Sequence, residues 1–433
     1  MSSHNERDAI IIGAGVIGCA IALELTRRGL STLNVDPLPA AGYGSTSHSS
    51  AIIRPYYSHV TAAAVAHEAR FRWLDWEGYL GHADERGLAA YTECGGLVLL
   101  REGEEDSHAG NLAVLDEVGV DYRLLDADGV AGLYPGICLD AFGPPKRRDD
   151  PGFGEPVPGR IGGGIYIPAA GYVSDPQLAA HNLMAAAAAA GAVFRFGDAV
   201  SAIHRNADAV AGVTLGDGER LEAPVVINAA GPHSAHINDL AGVSGQLRIR
   251  TRAQRHEVAY LKAPSGYRSG GNGFVVDLDA GVYQRADGAD LLIGTADPDC
   301  DEPDIVDPDD FNTEFTEQWT TQVYRSAQRF PDLRIENTAR GTVGLYDVSN
   351  DWIPVYDRTD LPGYYLAIGT SGNQFKNAPV VGEILAGIVL ADRRGADHDA
   401  NPVCLTLHNV GRTVDLSFYS RNREIQQTHS VLA

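Results

Sequence analysis

Hydrophobic and polar positions alternate between strand-like and helix-like periods from the start of the chain. Residues 8–12 (Asp-Ala-Ile-Ile-Ile) form a short apolar run of the kind a buried strand shows. Residues 13–18 are a glycine turn, and residues 16–28 read as a helix that ends at Gly29. A second apolar run follows at residues 31–35. Strand, turn, helix and strand in that order predict a βαβ unit, which places a Rossmann-type sheet at the centre of the fold.

Further along, residues 91–172 alternate short β-like runs such as 96–100 with Gly/Pro-rich turns at 143–145 and 150–152, an excursion from the first domain. A helix over 176–190 ends at Gly191, and its six alanines, 185–190, are expected to pack on the first sheet. Runs at 193–196 and 225–228 return the chain to that sheet. Residues 257–261, 273–277, 281–285 and 291–294 predict strands of a second excursion with acidic loops, and 364–368 a strand followed by a glycine loop and a helix over 378–390. The expected class is α/β: a discontinuous Rossmann-type domain (1–90, 172–245 and 340–400) interleaved with a mostly antiparallel, α+β substrate domain (91–171 and 246–339). A weakly patterned tail, 401–433, follows and is expected to pack late or remain mobile.

Composition narrows the function classes. The 433 residues hold 34 Lys+Arg against 57 Asp+Glu, a formal charge of −23, so neither nucleic acid nor an anionic membrane is an expected partner. Mean hydropathy is −0.14, and no apolar run reaches the roughly 18–20 residues that span a bilayer. The start of the chain carries no export signal and the five cysteines show no CxxC or Cys/His spacing, so a reducing cytoplasm is expected and a metal site is not. There are only three lysines, Lys146, Lys262 and Lys376, in a chain whose other cations are arginines. A lysine kept under that bias draws notice.

Gly13-Ala14-Gly15-Val16-Ile17-Gly18 fits GxGxxG between strand and helix, with Asp36 ending the next strand 18 residues beyond Gly18. Glycines let the backbone approach a pyrophosphate, the helix N-terminus offers N–H donors and positive partial charge, and the carboxylate accepts from ribose hydroxyls. A tight βα turn without a ligand would leave Asp36 unexplained. The motif leaves FAD and NAD both open.

Four further stretches narrow the choice: Gly44-Ser-Thr-Ser-His-Ser-Ser-Ala-Ile-Ile-Arg-Pro-Tyr-Tyr57, Gly171-Tyr-Val-Ser-Asp-Pro176, Val225-Val-Ile-Asn-Ala-Ala-Gly-Pro232 and Gly369-Thr-Ser-Gly-Asn-Gln-Phe-Lys-Asn-Ala-Pro379. With these the chain resembles the D-amino acid oxidase superfamily of flavoproteins, in its sarcosine oxidase and dimethylglycine dehydrogenase branch, from the N-terminus to about residue 390. The resemblance implies FAD, extended between the two domains. It implies cofactor contacts from Gly13, Gly15, Val16, Ile17, Gly18, Asp36, Ser45, Thr46, His48, Ser49, Val200, Ala230, Gly231, Gly344, Gly372, Asn373, Gln374, Phe375 and Lys376. It also implies that Arg54 and Lys376 hold a substrate carboxylate over the flavin, a role that suits a guanidinium fork beside an ammonium. For both residues the bland alternative is a surface ion pair. Tyr283 is read either as a wall of the flavin site or as a structural tyrosine.

Gly-Ser-Thr-Ser-His48 resembles the Gly-Ser-Thr-Trp-His element through which dimethylglycine dehydrogenase-like proteins bind flavin covalently, but Ser47 replaces the aromatic residue. Two readings stand: a tether at His48, or a histidine lining the site. The cysteine that tethers flavin in one-chain sarcosine oxidases is missing from residues 340–351, and the strand at 291–294 lacks their oxygen-activating lysine. Pro379 suits the first turn of a helix whose N-terminus would face the loop's ligand. His233, His236 and His256 read as ordinary polar positions.

The expected function is oxidation of the C–N bond of a small carboxylate-bearing amine, a secondary or N-methyl amino acid, to an imine by hydride transfer to the flavin. Electrons would pass to oxygen or a protein acceptor. No strong base is evident, so the amine would react neutral. Alternatives are a D-amino acid, glycine or cyclic imino acid oxidase, an NAD-dependent dehydrogenase, or a non-catalytic FAD-binding scaffold.

Overall fold

A computed structural model describes residues 7–265, 267 and 273–426; the last part of the expected tail, residues 427–433, lies outside the described residues. The central sheet runs in the order Val193–Phe196, Thr32–Asp36, Ala9–Ile12, Val226–Asn228, Tyr364–Ile368 and Val355–Arg358. The first five strands are parallel and the last is antiparallel. Alternation along Ala9–Ile12 explains the layers. Ala9 and Ile11 pack with the helices Val16–Arg27 and Ala378–Arg393, while Ile10 and Ile12 pack with a three-stranded antiparallel sheet that includes Val213 and Leu215.

A second sheet of nine strands draws on both excursions, with Asp140–Ala141 pairing with Val157–Ile167 off its main path. From Gly341–Ser349 it passes through Thr251–Lys262, Asp290–Thr295, Val282–Asp287, Phe274–Asp277, Gly96–Arg101 and Val157–Ile167 to Arg123–Asp126. Every pairing along it is antiparallel except the junction of Phe274–Asp277 with Gly96–Arg101, where the two excursions meet in parallel. Glu317–Arg329 covers one face, and its Arg329 is buried between Asp277 and Asp279. The edge strand Gly341–Ser349 carries the chain back toward Val355–Arg358 of the first sheet.

One expectation changes and an open one is decided. The alanine-rich helix Pro176–Ala189 packs mainly against the helix Val16–Arg27, with Ala186 and Ala187 buried and Ala188–Ala190 exposed. Small side chains serve a close helix–helix approach here rather than a flat contact with the sheet. The tail is ordered through residue 426: Cys404–Leu407 and Arg412–Asp415 form a hairpin, and Leu407, Val414, Leu416 and Tyr419 join the main core. Arg421 locks it by pairing with Asp357, Asp360 and Asp399. Alternation over so few residues is too short to show as a period in sequence.

Candidate active site

One cavity of about 740 Å³ runs from the glycine turn at residue 13 to the loop ending at Lys376. At its first end, Gly13 sits at φ +111° with a side-chain position that would strike the Ala229 carbonyl, so only glycine fits. A side chain on Gly15 would instead meet Thr46 Oγ1, at 3.2 Å. The Val16 N–H donates to that hydroxyl at 3.1 Å, while the Gly15 and Ile17 N–H groups meet no protein acceptor among the described residues. Unsatisfied donors at a helix start form an anion cradle. Asp36 accepts from the Ala14 N–H at 2.7 Å and the Leu38 N–H at 2.9 Å, and burial pushes its carboxyl up.

Gly18 is the exception among the expected contact residues: it is not a wall of the cavity. A side chain there would strike the Gly13 carbonyl, and Asn34 Nδ2 donates to the carbonyls of Gly13 (3.1 Å) and Gly18 (3.2 Å). Gly18 closes helix against strand and shapes the turn from behind.

Midway along the cavity, the short helix Ser45–His48 is pinned to the edge strand by the Ser45 hydroxyl, which donates to the Leu345 carbonyl at 2.6 Å. His48 pairs through Nδ1 with the Thr342 hydroxyl, and burial lowers its pKa. A side chain on Gly344 would come within 2.7 Å of His48 Cβ, so that glycine makes room for the ring. Ser49, Val200, Ala230 and Gly231 also line the wall.

At the far end Arg54 and Lys376 are both buried, which removes the surface ion-pair alternative. Lys376 Nζ donates to the Tyr57 hydroxyl at 3.0 Å and to the Asn373 carbonyl, and no carboxylate pairs with it among the described residues. Burial, then the Arg54 charge, holds its pKa well below the ordinary lysine value. The Arg54 guanidinium lies 4.7 Å from the centre of the Tyr57 ring and donates to the Tyr56 carbonyl. Tyr283 lines the cavity with its hydroxyl 3.0 Å from Ser50 Oγ. Residues 372–376 complete this end and lead into Ala378–Arg393, with Pro379 in its first turn.

Several wall residues escaped the sequence reading. Val276 pairs in register with Tyr283, so two-residue alternation could have flagged it and Phe274. Tyr346 lines the cavity and stacks on His256 at 3.8 Å. His233 and His236, read as ordinary polar positions, also line it, and His233 Nε2 stands 3.0 Å from Asp309. Nothing local in sequence signals that placement.

Residues 8–388 match the family described as DAO, FAD dependent oxidoreductase. The chain belongs to that family. The donors present fit FAD, since this DAO protein offers a ribose-accepting carboxylate, open N–H groups for a pyrophosphate and a glycine loop at the opposite end. A D-amino acid dehydrogenase of Methylobacterium sp. (strain 4-46) is 28% identical over 279 residues, 54% of this chain and 63% of that protein. A D-amino acid dehydrogenase of Methylobacterium nodulans is 25% identical over 273 residues, 52% of this chain, and the match spans 61% of its length. Among solved structures, L-proline dehydrogenase from P. horikoshii superposes with a TM-score of 0.75 at 20% identity, covering 96% of this chain and 97% of that one. Glycine oxidase from Geobacillus kaustophilus gives 0.73 at 20% identity, over 98% and 100%. These likenesses establish the shared α/β fold and do not single out the sarcosine oxidase branch.

Proposed function

We propose that this FAD dependent oxidoreductase oxidises the C–N bond of a small amino acid carrying a secondary or N-methyl amine, giving an imine that hydrolyses. The observation that carries the reading is the pair of buried cations, Arg54 and Lys376, at one end of the cofactor cavity, with Lys376 lacking an acidic partner among the described residues. A desolvated cation of this kind is complementary to an anion brought in by a ligand. Bound FAD supplies the hydride acceptor. The protein fixes the carboxylate and so lowers the entropic part of the barrier.

The same two charges act on the amine. A substrate ammonium would face cations at this end, and the acidic side chains of the wall, Asp36 and Asp309, belong to other segments. The substrate therefore binds as the neutral amine, and turnover rises with pH toward the amine pKa. Tyr283 and Ser50, whose hydroxyls stand 3.0 Å apart, add a hydroxyl pair to the cavity wall. His48, with Nδ1 on Thr342, offers Nε2 as the atom for a flavin tether. The reaction belongs to a reducing compartment, in keeping with five free cysteines, and no helix among the described residues is long and apolar enough to cross a membrane. Oxygen or an electron-accepting protein completes the cycle.

A primary D-amino acid is the second reading, supported by the D-amino acid dehydrogenase relatives. An anaerobic screen of N-alkyl and D-amino acids by flavin bleaching separates the two. Bleaching by N-methyl amino acids is expected. Bleaching by primary D-amino acids alone replaces the first reading, and no bleaching by any amino acid removes both.

A further inference from the structure

A buried carboxylate that the clamp does not use lies one residue behind the cavity wall. Asp347 is 1% exposed, and its Oδ2 accepts from the Gly369 N–H at 2.6 Å and the Ser234 hydroxyl at 3.2 Å. Its backbone carbonyl accepts from the Ser371 N–H at 2.8 Å. One residue thus joins the edge strand, the flavin loop and the segment after Val226–Asn228. All three contribute cavity walls, in Tyr346, Thr370 and Gly231.

The groups that favour its charge are the N–H of Gly369 and Thr370 and the hydroxyls of Ser234 and Thr251, none of them a cation. Oδ1 has no hydrogen-bond partner among the described residues. An asparagine would accept from the same donors without burying a charge, so the joint alone does not account for a carboxylate.

We propose that Asp347 sets the reduction potential of the flavin: its negative charge, buried behind Tyr346 and Thr370, opposes electron uptake in the cavity. Arg54, Lys376 and the loop N–H groups pull the other way, and the balance fixes how readily electrons are released to the acceptor. A charge acts over such a layer because the protein interior screens it weakly. The proposal needs FAD in the cavity and is independent of which amine is the substrate.

Burial pushes the Asp347 carboxyl up to about 7, so its charge is lost below neutrality. Titratable groups on the surrounding segments are the Tyr356 and Tyr346 phenols, whose pKa burial raises well above the ordinary value, His256, lowered to about 3, His233 and His236, and Asp297, which stands 3.9 Å from His256 behind Ala296 and which burial also raises to about 7. Of these two carboxylates Asp347 is the one bonded to the loop that forms the far end of the cavity, so its protonation is the one expected to follow flavin reduction.

The test is the midpoint potential of flavin-loaded protein, by dye equilibration at about pH 6 and about pH 8.5, either side of that carboxyl. For Asp347→Asn at the higher pH, the reduced-to-oxidised ratio at fixed potential should rise at least about tenfold, about 30 mV for a two-electron couple. At the lower pH the change should fall below about twofold, because the wild-type carboxyl is then neutral. Asp208→Asn, which alters an exposed carboxylate outside the cavity, should change neither value. An equal shift at both pH values, or none, overturns the proposal. Should Asp347→Asn fail to hold flavin, the infrared difference spectrum on reduction at neutral pH of the Asp297→Asn variant, which removes the other raised carboxyl, decides: a protonated-carboxyl band is expected, and its absence overturns the proposal. Failure of the clamp would show instead in carboxylate binding by Lys376→Met.

Discussion

Lys376 and Tyr57 meet in two ways: the ammonium donates to the phenol oxygen over 3.0 Å and stands 5.3 Å from the centre of the ring. The Arg54 guanidinium lies against the same ring at 4.7 Å. One aromatic side chain thus holds two like charges side by side, its π face offsetting part of their repulsion. Geometry of this kind stores an attraction for an anion.

Lys376→Met should weaken binding of a small carboxylate inhibitor about 10- to 100-fold, the worth of a charged hydrogen bond, while flavin stays bound. Arg54→Ala should do the same. Titration of the flavin absorbance with the inhibitor checks both, and unchanged affinity in the two variants would remove the clamp.

The buried ammonium also costs stability. Burial, with Arg54 second, depresses the folded pKa of Lys376, whereas in the unfolded chain it returns to about 10.4. Between those values the unfolded chain binds more protons, so stability rises with pH through that window, and below it the charged form is a burden. In the apoprotein at neutral pH, Lys376→Met should gain about 1–3 kcal/mol in urea unfolding and lose the alkaline rise. A loss of stability on this substitution would contradict the assignment.

Flavin attachment can be read from colour. Acid-precipitated wild type should stay yellow and His48→Ala should release its flavin to the supernatant. Gly344→Val, which crowds His48 Cβ from 2.7 Å away, should also lower the bound fraction. Complete release from the wild type would leave His48 as a lining residue.

At the nucleotide end, Asp36→Ala should weaken FAD binding about 10- to 100-fold. Flavin content after gel filtration measures it. Gly13→Ala should fail to fold stably, because backbone at φ +111° and the Ala229 carbonyl both oppose a side chain.

The tail makes a separate claim on stability. Arg421→Ala leaves Asp357, fully buried, without its guanidinium partner and should cost about 3–5 kcal/mol in thermal or urea unfolding. A change below about 0.5 kcal/mol, the usual surface value, would mean that the tail docks without this lock.

The sequence by itself determined the βαβ opening, the glycine turn and Asp36, because period, φ-positive turns and helix starts are local properties written over a few residues. It also singled out Lys376 by its rarity and Arg54 by its motif. Tertiary structure alone decided that the two cations are buried and that Tyr57 lies between them, since Lys376 and Tyr57 are 319 residues apart in the chain. It decided as well that His233 and His236 reach the cavity, that Gly18 does not, and that Asp347 lies buried beneath the loop. Depth and juxtaposition come from how sheets and helices stack over long separations, and a side chain's charge state follows from that stacking.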